Sequence, residues 1–220
     1  MRFQARHATG PIAMFGSPHV WHILERARAD GRTWYYGDHA YFGRFRFYRI
    51  TRDAYQHSGC GQSDGKRLKA LGVRIAPWKT GSEILVCPPD DMFGALHGFD
   101  SRKWLTKTLR ALAAATDRPV RVRQRAGAES NPVTLARDLA SAHALVTHSS
   151  NAAVEALCMG VPVFVTAPCA ARAMAEGDLA RIEAPYYPDD RKRWAGVLAD
   201  NQWTLDEIRR GMAARKLDEA

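Results

Sequence analysis

Residues 144–167, ALVTHSSNAAVEALCMGVPVFVTA, restrict the fold more than any other stretch of the chain. Ala144-Leu145-Val146 is a short apolar run that stops abruptly at Thr147-His148-Ser149-Ser150-Asn151. Hydroxyl and amide side chains of that kind cap helix N-termini by accepting from backbone N–H groups. Ala152, Ala153, Ala156 and Leu157 then recur at helical spacing, Gly160 supplies a stop, and residues 161–165 are a second apolar run. The pattern predicts a buried strand, a polar turn, a small-residue helix and another buried strand. A hydroxyl-rich turn between strand and helix aims backbone N–H groups above the sheet. It is therefore a candidate anion site, with phosphate the usual occupant. The same residues would equally serve as the plain cap of a structural αβ unit.

The sequence around this stretch extends the pattern. Ile84-Leu85-Val86-Cys87 is an apolar strand closed by Pro88-Pro89, and Ser101 opens a helix with Trp104, Leu105, Leu109 and Leu112 on its core face. Val120 and Val122 alternate with Arg121 and Arg123 in a strand, and Pro132-Val133 open a helix through Leu135, Leu139 and Ala142. Strands and helices alternating over short connections predict a parallel, doubly wound α/β sheet. No GxGxxG occurs, which argues against a dinucleotide site of the usual kind. The tail adds an aromatic-proline loop at residues 185–188, a helix through Trp194, Val197 and Leu198, and a capping box at Thr204–Glu207. Leu205, Ile208 and Met212 are expected on the core side of the final helix, and the tail is expected to fold back toward the first lobe.

The N-terminal part is shorter. Residues 11–15, then Ser17-Pro18 as a helix start, an apolar face of Val20, Ile23, Leu24 and Ala27, and the strand at residues 33–36 make a compact βαβ unit. That strand runs into Gly37-Asp38-His39-Ala40-Tyr41-Phe42-Gly43, read as a loop at a strand's carboxyl end, the edge where open α/β sheets bind ligands. Asp38 or His39 there could take a proton from a hydroxyl nucleophile, or could simply shape the turn. Residues 44–56 interleave Arg44, Arg46, Arg49 and Arg52 with Phe45, Phe47, Tyr48 and Tyr55. Arginine among aromatics suits a groove that follows a polyanion, and it also reads as an amphipathic strand with Phe45 and Phe47 on one face. Residues 57–69 read as a flexible, solvent-facing loop. The chain is thus expected to divide into residues 1–78, an acceptor-side lobe, and 79–220, a nucleotide-donor lobe with tail helices.

The formal net charge of +9 suits an anionic partner, whether nucleic acid, a nucleotide-linked donor, an acidic polysaccharide or an anionic membrane surface, and equally a merely solvated basic surface. The four cysteines lack metal spacing, and no apolar run approaches the roughly 20 residues of a membrane span. The N-terminal MRFQARHATG has no apolar signal region, so a reduced, cytoplasmic protein is expected.

On Val146, Ser149-Ser150, residues 151–157 and Gly160-Val161-Pro162-Val163, the chain resembles the C-terminal lobe of GT-B type glycosyltransferases. It is closest to the capsule and lipopolysaccharide branch and to small phage and prophage relatives. Asp189, Arg191, Trp194, Gln202 and residues 204–211 look like that family's ending, so the resemblance covers about residues 84–217; GDHAYF at residues 37–42 is similar to its first lobe. The resemblance implies a GT-B-like fold and a nucleotide-sugar (UDP-, CMP- or GDP-linked) as substrate, without metal or cofactor. It implies that Ser149, Ser150 and Asn151, within the turn Thr147–Asn151 that includes His148, hold the donor phosphate, with Glu155 on the ribose hydroxyls. The proton acceptor would come from the first lobe, at Asp38 or His39. Many capsule-type relatives carry His-Pro after the strand at residues 119–123. This chain has Gln124-Arg125, and Arg121, Arg123 or Arg125 could meet a diphosphate instead.

The reading that follows is a metal-independent glycosyltransferase acting on a hydroxyl acceptor, either a saccharide or a hydroxymethylated DNA base, with Arg44, Arg46 and Arg49 facing an anionic acceptor. The short first lobe could be completed by another subunit, as in a homo-oligomer. A non-catalytic nucleic-acid-binding α/β protein, or a degenerate lobe that binds a nucleotide without turnover, are the alternatives.

Overall fold

The structure is a computed structural model that describes residues 10–16, 21–124 and 134–218. The chain divides into two compact units, residues 1–57 with 201–220 and residues 58–200. The division differs from the sequence reading at two places. It falls after His57, and the tail from Asn201 belongs with the N-terminal segment.

The second unit is built on a four-stranded, wholly parallel sheet of order β5-β4-β6-β7, with β4 Glu83–Cys87, β5 Val120–Val122, β6 Ala142–Thr147 and β7 Val163–Val165. Every residue of β6 is buried, as a central strand covered on both faces requires. Alternation sends Ile84, Val86, Ala144, Val146 and Phe164 to one face, where they pack with Leu112 and Ile182 against Trp104, Leu105 and Leu109 of α4, Ser101–Ala115. Leu85 and Leu145 point to the other face. There α6, Ala152–Cys158, packs on β6 and β7 through Ala153, Val154, Ala156 and Leu157. Gly160 ends that helix with φ +77, and a Cβ on it would overlap the Pro77 carbonyl oxygen. The sheet is α/β and doubly wound, as expected.

Residues 58–82 belong to this unit because they are tied to it at several points. Gly59, at φ +76, lets the backbone lie against Trp194 of α7, Arg191–Asp200. Ser63 Oγ donates to Asp200 at 2.6 Å, α2 (Lys66–Ala70) packs on α7, and Ala76 N donates to Cys158 O at 2.8 Å. Of the glycines that read as flexibility, Gly59 serves close approach, and Gly61 and Gly65 supply positive φ, +130 and +70.

The first unit is a mixed sheet of order β1-β2-β3-β8. β1, Ile12–Phe15, and β2, Trp34–His39, are parallel and joined through α1, Trp21–Ala29; Ser17 and Pro18 lie outside the described residues. β3, Tyr48–Arg52, runs back antiparallel, and β8, Gln202–Trp203, adds to β3. Two features depart from the sequence reading. The arginine strand begins only at Tyr48, because residues 43–47 form a turn in which Arg46 N and Phe47 N both donate to Gly43 O at 3.1 Å. Phe47 is buried and Phe45 is 70% exposed, so they share no strand face. The final helix is two pieces, α8 Leu205–Arg209 and α9 Met212–Asp218, broken at Gly211 (φ +73), and Leu205 is half exposed rather than core. The Thr204–Glu207 capping box is formed in full. No helix among the described residues is long and apolar enough to cross a membrane.

Candidate functional site

In the second unit, chain order and sheet order part company between β4 and β6. The chain leaves β4 for β5 on one side and returns to β6 on the other. In open α/β sheets the crevice beyond the carboxyl ends of such strands is the usual ligand position. Here those ends are Cys87-Pro88-Pro89 and Thr147–Asn151, so the polar turn singled out in the sequence lies at the switch point.

Its residues divide by role. Thr147 is 1% exposed and its hydroxyl donates to Cys87 O at 2.7 Å, tying β6 to β4; it faces no ligand. His148 is an aromatic-cluster residue. Its ring stacks on Phe99 at 4.4 Å and meets Phe93 and Trp104 edge-on, while Nδ1 lies 3.0 Å from Ser149 Oγ. Burial lowers its pKa, which keeps the ring neutral near pH 7. Trp104 is itself fixed by donating Nε1–H to Thr166 Oγ1 at 2.8 Å. Ser149 is buried and Ser150 exposed, and Ser150 Oγ accepts from Ala152 N at 3.2 Å, capping α6. Asn151 is helical in backbone and makes no side-chain cap. Glu155, one turn into α6, is exposed. The groups gathered here are exposed Ser150, half-buried Asn151, buried Ser149 and, one turn into α6, exposed Glu155, with Phe93 of α3 (Asp91–Leu96), Phe99, and Trp104 of α4 packed around the His148 ring.

The arginines of β5 do not join this set freely. Arg123 pairs with Asp138, and Arg121 pairs with Asp138 and, at 3.0 Å, with Glu83. These partners hold Arg121 well above the usual guanidinium range and Glu83 below the usual carboxylate range. Arg123 would have to leave Asp138, 8% exposed at its side chain, to meet a diphosphate. Arg125 lies outside the described residues.

In the first unit, Asp38 and His39 are the last two residues of β2 rather than loop residues, so they point to opposite faces of the sheet. Asp38 faces Arg49 across the β2–β3 ladder and pairs with its Nη2 at 2.6 Å; its other oxygen accepts from His39 N at 2.7 Å. Arg49, expected to face a polyanion, is 4% exposed, also donates to His39 O at 2.7 Å, and lies over the Tyr41 ring. Its register opposite Asp38 explains the difference. On the other face, His39 is ringed by Phe15, Phe45 and Tyr48, with centroids 5.8, 4.9 and 5.9 Å away, and its Nδ1 is buried without a hydrogen-bond partner among the described residues. Phe15 lies across Gly37 of the strand, where a Cβ would come to 3.4 Å from its ring. Arg44 and Arg46 are exposed, each over the phenylalanine that follows it.

Gln202 was legible only as part of a family-like ending. It is fully buried and closes this segment: its Oε1 accepts from Phe42 N at 3.0 Å and its Nε2 donates to Phe42 O at 2.9 Å. Among the described residues no group of His, Cys, Asp or Glu side chains is arranged to hold a metal ion.

No protein-family profile and no curated protein sequence matches the chain. Among solved structures, Thermosulfurimonas dismutans KpsC, a beta Kdo 2,4 transferase, matches with a TM-score of 0.52 and 10% identity, over 91% of this chain and 86% of that one. At that identity the likeness concerns the fold, which is GT-B-like and shared with a glycosyltransferase.

Proposed function

We propose that the chain is a glycosyltransferase that moves a sugar from a nucleotide-sugar to a hydroxyl acceptor. The observation that carries this reading is the polar turn at the β4/β6 switch point, in a fold shared with a sugar transferase. Fold alone hosts many chemistries, so the weight rests on the turn. Ser149, Ser150 and Asn151 bind the donor phosphate, and Glu155 accepts hydrogen bonds from the ribose hydroxyls, charge-assisted contacts that suit a carboxylate. The acceptor oxygen forms the new bond to the anomeric carbon, and the nucleoside phosphate leaves with the electron pair of the old one. The acceptor proton goes to His39 rather than to Asp38, whose two oxygens are already engaged by Arg49 and the His39 N–H. The acceptor class, saccharide or hydroxymethylated DNA base, is left to the assay.

A thermal-shift panel of UDP, CMP, GDP and their sugars tests the reading. One nucleotide should raise the melting temperature in wild type and fail to do so in Glu155→Gln. Absence of any nucleotide effect sinks the donor site. Engagement of Asp38 by Arg49 favours one second reading, a nucleotide-binding module without turnover. That reading predicts the same shift with no sugar transfer and no nucleotide release.

A further inference from the structure

Residues 40–52, AYFGRFRFYRITR, hold four arginines and no carboxylate. Arg49 is taken by Asp38 and Arg52 contacts Asp53, whereas Arg44 and Arg46 are exposed and form no ion pair among the described residues. Phe45 stands between them. At 70% it is the most exposed large hydrophobic side chain among the described residues. Its backbone is left-handed, φ +72, a conformation that glycine or asparagine adopts readily and a bulky residue does not. The Gly43 carbonyl fixes the turn, and Tyr48 Oη donates to Phe45 O at 3.3 Å. Phe15, 47% exposed, flanks the same group through His39. The fold therefore holds a phenyl ring out in water, at a strained position, between two cations that have no ion pair among the described residues.

The geometry discriminates among anionic partners. Small ligands sit in concave sites that enclose the aromatic rings lining them, and a ring exposed to 70% on a turn is a projection. A single-stranded nucleic acid needs ring faces open in succession. Here Phe15 and Phe45 stand at 86° and 71° to His39, and the Arg44 guanidinium lies 4.9 Å from the Phe45 centroid, over its face. A lipid headgroup layer requires what the tip has: an aromatic side chain that enters at headgroup depth, and cations beside it that meet lipid phosphates.

We propose that the hairpin tip at residues 43–47, with Phe15 beside it, docks the protein on an anionic phospholipid membrane. This does not depend on the sugar-transfer reading. The test is co-sedimentation of the protein with vesicles of phosphatidylcholine alone and of phosphatidylcholine with phosphatidylglycerol, at low salt. The protein should pellet only with the phosphatidylglycerol vesicles. Removing both cations in Arg44→Gln/Arg46→Gln should weaken partition about 30-fold. Phe45→Asn, which tolerates the left-handed backbone, should weaken it comparably, with the melting temperature of both variants undiminished. As a second readout, Phe45→Trp should gain blue-shifted emission with those vesicles, and not with inorganic phosphate or a single-stranded oligonucleotide. Failure to pellet, pelleting that survives in both variants, or an emission shift produced by the oligonucleotide instead would overturn the proposal.

Discussion

Replacing Gln202 by methionine tests whether the tail holds the segment that follows Asp38 and His39. The Gln202 side chain is fully buried, and it supplies both partners of the Phe42 peptide groups, at 3.0 and 2.9 Å. Methionine fills nearly the same volume but leaves one buried N–H and one buried C=O without those partners. Each such orphan costs roughly 1–3 kcal/mol, so the substitution should cost about 3 kcal/mol. For a chain of this size that lowers the melting temperature by about 6–12 °C. Gln202→Glu should be as harmful or worse, because a carboxylate keeps the acceptor but turns a second oxygen on the Phe42 carbonyl. Chemical denaturation followed by tryptophan fluorescence measures both. A Gln202→Met protein within about 0.5 kcal/mol of wild type, the range of a neutral surface change, would show that the paired bonds to Phe42 do not hold the segment.

Other substitutions probe the remaining elements. Gly160→Ala should cost about 3 kcal/mol or more by denaturant titration, because it adds overlap with Pro77 to an unfavourable φ. Arg49→Met breaks a pair whose arginine side chain is 5% exposed and whose aspartate is 31% exposed; discounted for that exposure, about 2 kcal/mol should be lost. His57 and His148 both have pKa values lowered by burial, with Lys216 adding to the effect at His57. The unfolded chain therefore binds more protons than the folded one below about pH 6.5. Stability from these groups is complete above that pH and falls as acid titrates them in the folded state. Melting temperature should drop as the pH is lowered below about 6.5, less steeply in His148→Asn, and a rise on acidification would refute the sign. His39→Ala should reduce sugar transfer on the order of 100-fold while leaving the nucleotide-induced thermal shift intact.

The parts of the fold read correctly from sequence are those specified by local pattern. Ala144-Leu145-Val146 of β6 shows as an apolar run because both faces of the strand are covered, and Gly160 marks the helix end because its φ demands it. The Thr204–Glu207 box is contained within four residues and forms as read. The hairpin was less legible. FRFYR alternates as a strand does, but left-handed Phe45 breaks the alternation and moves the strand start to Tyr48. Taking Gly43 as the turn would have placed Arg49 opposite Asp38 and revealed their pairing. Contacts set by tertiary structure had no local signal: Gln202 meets Phe42 across 160 residues, and Arg123 finds its carboxylate at Asp138. Thr147 reads as one more hydroxyl of the turn, and only the position of β4 shows that it serves the sheet.

The most direct measurement of the central claim is nucleotide release. The protein is incubated with the sugar conjugate of whichever nucleotide raises its melting temperature, with and without candidate acceptors, and the freed nucleotide is quantified. The account predicts release above the enzyme-free blank, lost in Ser149→Ala/Glu155→Gln and strongly reduced in His39→Ala. Release that persists undiminished in those variants, or none with any conjugate of a bound nucleotide, would contradict it.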